Sequence, residues 1–183
     1  MRGNHHGGIM KLAWAYHIYD DKSACFLTGQ IGKRPLVCFS ANPSMATPAR
    51  LDNALRCVRN NFLMHGYDSW LVFNVYPQRV ADPNKLHQEL DPKLHALNLF
   101  HIKHALGSYR DLTIWAAWGS LILKRPYLKQ CLHDIVHVLG DHSINWVHKG
   151  NLVSNKHPHR PLMQEKDLPF KPFNINKYLK FLD

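Results

Sequence analysis

Polar residues stand directly after several apolar runs of this sequence, where a ligand can meet their side chains. Asn42, Pro43 and Ser44 follow one run, Asn74 ends the next, and His157 opens a His-Pro-His-Arg-Pro-Leu segment. An asparagine amide both donates and accepts hydrogen bonds, so it can orient water or read a ring edge. A histidine can donate to an oxygen on which negative charge develops. These residue types suit the binding of a polar ring and the stabilisation of a departing anion.

Asp52 lies ten residues after Asn42, at the predicted start of a helix. An aspartate there can cap the helix by accepting from its first free backbone N–H groups. It can also assist Asn42 in catalysis, because an asparagine cannot take up a proton. The sequence leaves both roles open.

A sheet must bring these side chains to one edge. Short apolar runs at residues 36–40, 70–75, 112–117 and 144–148 predict buried strands. Apolar spacing, caps and Gly or Pro stops predict helices over residues 50–65, 91–106, 126–139 and 174–182. The alternation predicts an α/β fold, a three-layer α/β/α domain with a mostly parallel central sheet. Ligands of such sheets bind outside the carboxyl ends of the strands.

The composition fits one globular domain. The 183 residues are 45% apolar and 20% charged, which excludes a disordered chain. We expect residues 1–10 to be a flexible leader and residues 11–183 to be a single domain. Neither a membrane span nor the apolar core of a signal peptide is visible, so a cytoplasmic location is expected. Four cysteines without a Cys-x-x-Cys pair predict reduced thiols.

The net charge of +10, with a pI near 9.6, favours a polyanionic partner, nucleic acid ahead of a membrane. Basic side chains that suit phosphate contacts, or equally a solvated helix face, are Arg56, Arg59, Lys124, Arg125 and Lys129.

Histidine pairs at 133/137 and 101/104 share helix faces but lack the third ligand and the acid of a catalytic zinc site. Glycine-rich phosphate loops are missing too. We therefore predict neither a metal nor a cofactor.

Taken in order, several blocks resemble an uncharacterised family of bacterial and phage proteins. They are Ala41-Asn-Pro-Ser44, Asp52, Gly66, Phe73-Asn-Val-Tyr-Pro77, Ile114-Trp-Ala-Ala-Trp-Gly119 and His157-Pro-His-Arg-Pro-Leu162. More distantly, the same blocks are similar to the uracil-DNA glycosylase superfamily, in the same order over residues 36–162. The likeness is specific as a set and weak block by block.

The superfamily resemblance implies a role for each matched position. Asn42 corresponds to the water-positioning asparagine of the mismatch-specific branch, Asn74 to the asparagine that reads the base edge, and His157 to the histidine that stabilises the departing base. Pro158, Pro161 and Leu162 match the rest of the histidine segment, and His159 and Arg160 widen it by one residue.

The resemblance also implies a base pocket and a DNA-facing segment. Pro43, Ser44 and Met45 fall beside the base, while His159, Arg160 and Met163 fall where a side chain enters DNA. Two departures from the superfamily pattern are clear. Ser40-Ala41 replaces a glycine-rich approach, and no aromatic residue lies between Asn42 and Arg56 to stack on a base, which leaves Met45 or Leu51.

The function that the resemblance implies is a monomeric DNA glycosylase without a cofactor. Such an enzyme hydrolyses the N-glycosidic bond of a wrong or modified pyrimidine, flipped out of DNA, in repair or in defence against phage DNA. Two alternatives stay open. One is a non-catalytic nucleic-acid-binding module of the same fold, and the other is a hydrolase or transferase of free nucleosides or nucleotides.

Overall fold

The computed structural model describes residues 11–161 and 167–183, which form seven strands and four α-helices. The strands are β1 (Ala13–Ile18), β2 (Cys25–Ile31), β3 (Pro35–Ser40), β4 (Ser69–Asn74), β5 (Asp111–Ala116), β6 (Ser143–Lys149) and β7 (Phe170–Pro172). The α-helices are α1 (Asn53–Met64), α2 (Pro92–Leu106), α3 (Tyr127–Val138) and α4 (Ile175–Leu182), and short 3₁₀ helices span Pro83–Lys85 and Gly119–Leu123. The predicted leader, residues 1–10, lies outside the described residues.

All seven strands form one sheet in the order β1-β2-β4-β3-β5-β6-β7. The central pairs β4–β3, β3–β5 and β5–β6 are parallel. The outer pairs β1–β2, β2–β4 and β6–β7 are antiparallel. The α/β prediction is therefore confirmed as a mixed sheet with a parallel centre, and the expectation of a mostly parallel sheet holds for the central strands alone.

The eight predicted elements are confirmed, with ends shifted by a few residues. The largest shift is at α1, which begins at Asn53 because Asp52 is its N-cap and accepts from the backbone N–H of Leu55 at 2.8 Å. Apolar runs and caps are local signals, so they identify these elements well.

Strands β1, β2 and β7 were not predicted. Gly29 interrupts the apolar pattern of β2, and a glycine inside a strand weakens its signal. The structure explains this glycine, because a Cβ there would lie 2.2 Å from the carbonyl oxygen of Trp70 on β4. The close approach of β2 to β4 requires a residue without a side chain.

Apolar side chains cover both faces of the sheet. On β3, Leu36 and Cys38 join a cluster that includes Cys57, Val58 and Phe62 of α1. The alternate residues of β3 face a second cluster, to which α2, α3 and α4 contribute. All four cysteines lie in the described part of the chain, where they are buried and form no disulfide, as predicted for reduced thiols. Within the described ranges, no helix is long and apolar enough to cross a bilayer.

Candidate ligand-binding cavity at the carboxyl edge of the sheet

A cavity of about 320 Å³ opens at the edge where the central parallel strands end. Residues that follow β3, the last residue of β4 and Ala117 after β5 all line it. The N-terminus of α1 and Arg160 complete its wall. Of the predicted site residues, the cavity brings together Asn42, Pro43, Ser44, Asp52, Asn74 and Arg160.

Asn74 is the most enclosed polar residue of this wall, with 4% of its surface exposed. Its backbone carbonyl accepts a hydrogen bond from the side-chain amide of Asn98 on α2, at 2.9 Å. Its own side chain has no hydrogen bond to any part of the chain that the structure describes. In the described chain, the Asn74 amide atoms are not among the fully buried side-chain atoms that lack a partner, so they face the space of the cavity, where a polar ligand can contact them.

Asn42 is anchored through one end of its amide. Its Nδ2 donates to the carbonyl oxygens of Pro43, at 3.1 Å, and Val80, at 3.4 Å. Because both bonds use the nitrogen, they orient the amide and leave Oδ1 as an acceptor. This geometry suits the holding of a water molecule.

Ser44 and Asp52 are linked on the same wall. The Ser44 hydroxyl donates to Asp52 Oδ2 at 2.5 Å, and Asp52 Oδ1 accepts from the backbone of Leu55. Both carboxylate oxygens are therefore engaged, and the capping role of Asp52 is confirmed. A second role as proton acceptor would act through the Ser44 hydroxyl, which lies between the carboxylate and the backbone N–H of Ala46.

Arg79 holds the loop that carries these residues, and sequence reasoning missed it. Its Nε donates to the carbonyl of Ser44 at 3.1 Å, and its Nη2 donates to that of Ala46 at 2.9 Å. Arg79 as a whole residue is 9% exposed. No sequence motif marks Arg79, since its role depends on two carbonyls more than thirty positions away.

Strand β2 supplies Cys25 and Thr28 to the cavity, two further residues that the sequence did not indicate. The Cys25 Sγ and Thr28 Oγ1 atoms lie 3.2 Å apart, and either atom can be the donor. Burial raises the pKa of the Cys25 thiol above its usual value of 9.0, against the opposing effects of Thr28 and Arg79. The thiol is therefore neutral at physiological pH and is not an activated nucleophile.

The rim of the cavity joins two distant segments of the chain. The backbone N–H of Gly119 donates to the carbonyl of Pro158 at 2.8 Å. Arg160 extends from this junction into the cavity wall, and Pro161 lies beside it. The Trp-Gly turn after β5 and the histidine segment therefore meet in the fold.

His157 is placed differently from the expectation. It is 4% exposed and is not among the residues that line the cavity. Its Nδ1 lies 2.8 Å from the hydroxyl of Tyr178, which accepts from Trp118 Nε1 at 3.1 Å. Burial, with a smaller effect of Lys156, lowers the pKa of His157 below its usual 6.5, so the ring is neutral at pH 7. If the Tyr178 hydroxyl donates to Nδ1, the ring proton lies on Nε2.

The remaining candidates near the base pocket lie outside its wall. Met45 is 59% exposed and does not line the cavity, and Leu51 is buried in the core beside α1. His159 is half-buried, with Nδ1 3.1 Å from the carbonyl of Arg160. Met163 lies outside the described residues.

The predicted phosphate contacts also differ in their surroundings. Arg56 and Arg59 are exposed on α1, while Lys124 and Lys129 are half-buried. Arg125 holds a loop in place, and its guanidinium is engaged by backbone groups. It donates to the carbonyls of Asn84, Leu86, His87 and Lys124.

The histidine pairs have protein partners. His133 Nε2 lies 2.8 Å from an oxygen of Asp183, and His101 Nδ1 lies 3.3 Å from His17 Nδ1. In residues 11–161 and 167–183, no three His, Cys, Asp or Glu side chains cluster closely enough to hold a metal ion.

The fold and the cavity define an α/β domain with a ligand-sized cavity at the carboxyl edge of its parallel strands. The chain belongs to a family described as "Protein of unknown function (DUF1643)", whose profile matches residues 26–162, about three quarters of its length. The expected membership of an uncharacterised family is confirmed at this level. Neither a curated protein nor a solved structure matches the chain.

Proposed function

We propose that this protein is a DNA glycosylase that hydrolyses the N-glycosidic bond of a wrong or modified pyrimidine flipped out of DNA. One observation carries the proposal. Asn74, 4% exposed and with no hydrogen-bond partner for its side chain in the described chain, lines the same small cavity as Asn42 and Arg160. An amide in that state is suited to the edge of a heterocyclic base, which offers a donor and an acceptor.

The proposed reaction assigns a separate task to each asparagine. Asn74 holds the base edge, and Asn42 Oδ1 accepts from a water molecule below the sugar. The C1′–N bond breaks with its electron pair remaining on the base, and the sugar acquires oxocarbenium character. The water oxygen then bonds to C1′. Its proton passes to solvent or, through the Ser44 hydroxyl, to Asp52, which that hydroxyl contacts at 2.5 Å.

The charge of the chain supports DNA as the carrier of the base. A net charge of +10 offsets part of the few kcal/mol needed to flip a base, because phosphate contacts are favourable. Arg160 is exposed at the rim of the cavity, where it can meet a phosphate next to the flipped nucleotide. The sequence blocks that resemble the uracil-DNA glycosylase superfamily also support DNA as the substrate.

A non-catalytic nucleic-acid-binding module is the second candidate, and the position of His157 favours it. The ring is 4% exposed and bonded to Tyr178, away from the cavity wall. In a module of this kind the base is bound and not released. Action on a free nucleoside or nucleotide is the third candidate, since about 320 Å³ is at the small end of ligand cavities and holds one nucleoside.

Base release from DNA tests the proposal. Wild-type protein is incubated with DNAs that carry uracil, thymine mismatches or hypermodified pyrimidines, and abasic sites are detected by alkaline cleavage. We expect abasic sites with one substrate, their loss in Asn42→Ala, and DNA affinity within a few-fold of wild type. Asn176→Ala is the matched control, because Asn176 is exposed on α4 and outside the cavity. Salt-sensitive binding without abasic sites would instead favour the module, and a response to free nucleosides alone would favour the third candidate.

Rates of base release by variants of His157 and Tyr178 distinguish a catalytic role of this histidine from a binding role. If His157 Nε2 donates to the departing base, His157→Ala lowers the rate at least about 10²-fold. Tyr178→Phe lowers it less and shifts its pH dependence, because Nδ1 loses the donor that fixes the ring tautomer. An unchanged rate in His157→Ala would remove this histidine from the mechanism.

A further inference from the structure

Cys25 and Thr28 point into one cavity because strand β2 contains an extra residue. Side chains three positions apart in a regular strand face opposite sides of the sheet. His17 and Ile18 are consecutive on β1, yet their partners on β2 are Leu27 and Cys25, so Phe26 is bulged out of the ladder. Such bulges re-aim a side chain and are frequent beside functional sites.

The bulge places a thiol and a hydroxyl in the cavity that the Asn74 amide also lines. Thr28 pairs with Val72 on β4, two residues before Asn74, and all three line the cavity. Neither polar atom of the Cys25–Thr28 pair is charged, and each can donate or accept a hydrogen bond. The thiol and the hydroxyl bond to each other, and they can exchange that bond for one to a ligand hydroxyl.

The polar Cys25–Thr28 pair lies among apolar residues of the cavity wall. Val72, Ala117 and Leu121 also line the cavity and give it apolar surface. A ring substituent with a hydroxyl would lose its hydration against such a wall, because an unpaired polar group is costly to bury. Cys25 and Thr28 supply the partner that avoids this loss.

We propose that the Cys25–Thr28 pair is the specificity-determining floor of the cavity and favours a pyrimidine with an uncharged, hydroxyl-bearing ring substituent. This inference takes the reaction from the proposed function. The placement of Cys25 and Thr28 in the cavity comes from the bulge in β2 and does not depend on that function. Thr28 supplies the polarity of the floor, and Cys25 limits the space for the substituent.

The test compares uracil, thymine and 5-hydroxymethyluracil in the same DNA sequence, measuring both base release and equilibrium binding of the free nucleosides. Thr28→Val keeps the shape of the side chain and removes its hydroxyl. We expect the hydroxymethyl-to-methyl preference to fall about tenfold, the scale of losing one hydrogen bond. Cys25→Ala opens the floor and raises the relative use of the bulkier rings. Thr113→Val on β5, outside the cavity, is the matched control and leaves the preference unchanged.

The outcomes separate this inference from the proposed function. Base release by wild type with the same preference in Thr28→Val overturns the inference and leaves the glycosylase standing. No base release, with a nucleoside-binding preference that falls in Thr28→Val, keeps the inference and rejects the glycosylase. Neither release nor binding of any of the three rings rejects both. Circular dichroism of each variant confirms that the comparison is made on folded protein.

Discussion

Gly119 packs its backbone directly against the side chain of Arg160. A Cβ on Gly119 would lie 2.9 Å from Arg160 Cγ, and the φ angle of +63° is one that residues with a side chain rarely adopt. The N–H of Gly119 also donates to Pro158, so a single residue after β5 holds the segment that carries Arg160. Through this contact, two segments about forty residues apart in the sequence together form the rim of the cavity.

Gly119→Ala is expected to destabilise the protein and to move Arg160. The left-handed backbone conformation disfavours alanine by about 1–2 kcal/mol, and the new Cβ displaces the arginine side chain. We expect a lower free energy of unfolding in urea and a weaker salt dependence of DNA binding, as one phosphate contact is lost.

The double variant Gly119→Ala/Arg160→Ala separates these two effects. Removal of the arginine side chain relieves the steric clash but leaves the backbone strain, so the double variant should be less destabilised than the sum of its single changes. Strict additivity of the unfolding free energies would contradict a direct contact between the two residues.

Asn74→Leu is expected to abolish ligand binding and base release while leaving the free energy of unfolding almost unchanged. The Asn74 side chain has no partner among the described residues, so its replacement by an apolar group of similar size changes the unfolding free energy by less than about 1 kcal/mol. Ligand binding and base release are lost, because no group reads the base.

Asn98→Leu is the matched control for that change. The buried Asn98 amide donates to the carbonyls of Asn74 and Val75, so its loss leaves acceptors unpaired and costs about 1–3 kcal/mol. A large loss of stability in Asn74→Leu, equal to that of Asn98→Leu, would show that Asn74 is a structural residue.

Arg79→Ala is expected to release the loop that carries Ser44. Loss of a guanidinium that bonds two carbonyls destabilises the protein by about 2–3 kcal/mol. Base release falls as well, since Ser44 and its neighbour Asn42 are no longer held against the cavity.

Arg125→Ala is the comparison for Arg79→Ala, because Arg125 also bonds backbone carbonyls but in the loop at residues 84–87. It should lower stability with little change in the rate measured on folded protein. Equal loss of rate in both variants would assign Arg79 a general structural role.

Acidification below pH 6.5 is expected to destabilise the fold. Burial lowers the pKa of four histidines, His65, His101, His148 and His157, below the ordinary value of 6.5. The unfolded chain therefore binds protons at a higher pH than the native protein. The stabilising effect of neutral histidines is complete above 6.5 and is lost as the pH falls through that value toward the lowered pKa values. Urea unfolding at pH 7.5 and 5.5 checks this, and equal stabilities would contradict it.

The sequence alone predicted the central elements and the edge where ligands would meet them. Apolar runs, caps and Gly or Pro stops depend on a few neighbouring residues, and that is why β3 to β6 and all four helices were identified. Asn42 and Asn74 were found by the same logic, since each stands where a predicted parallel strand ends.

Only the tertiary structure decided which side chains meet in the cavity. The bulge at Phe26, the approach of Gly29 to Trp70 and the reach of Arg79 to Ser44 depend on contacts between distant strands. The displacement of His157 toward Tyr178 has the same origin, because α4 follows it in the chain and packs over it. Local patterns specify where a strand or helix begins and ends, whereas the direction of a side chain within a cavity depends on how those elements pack together.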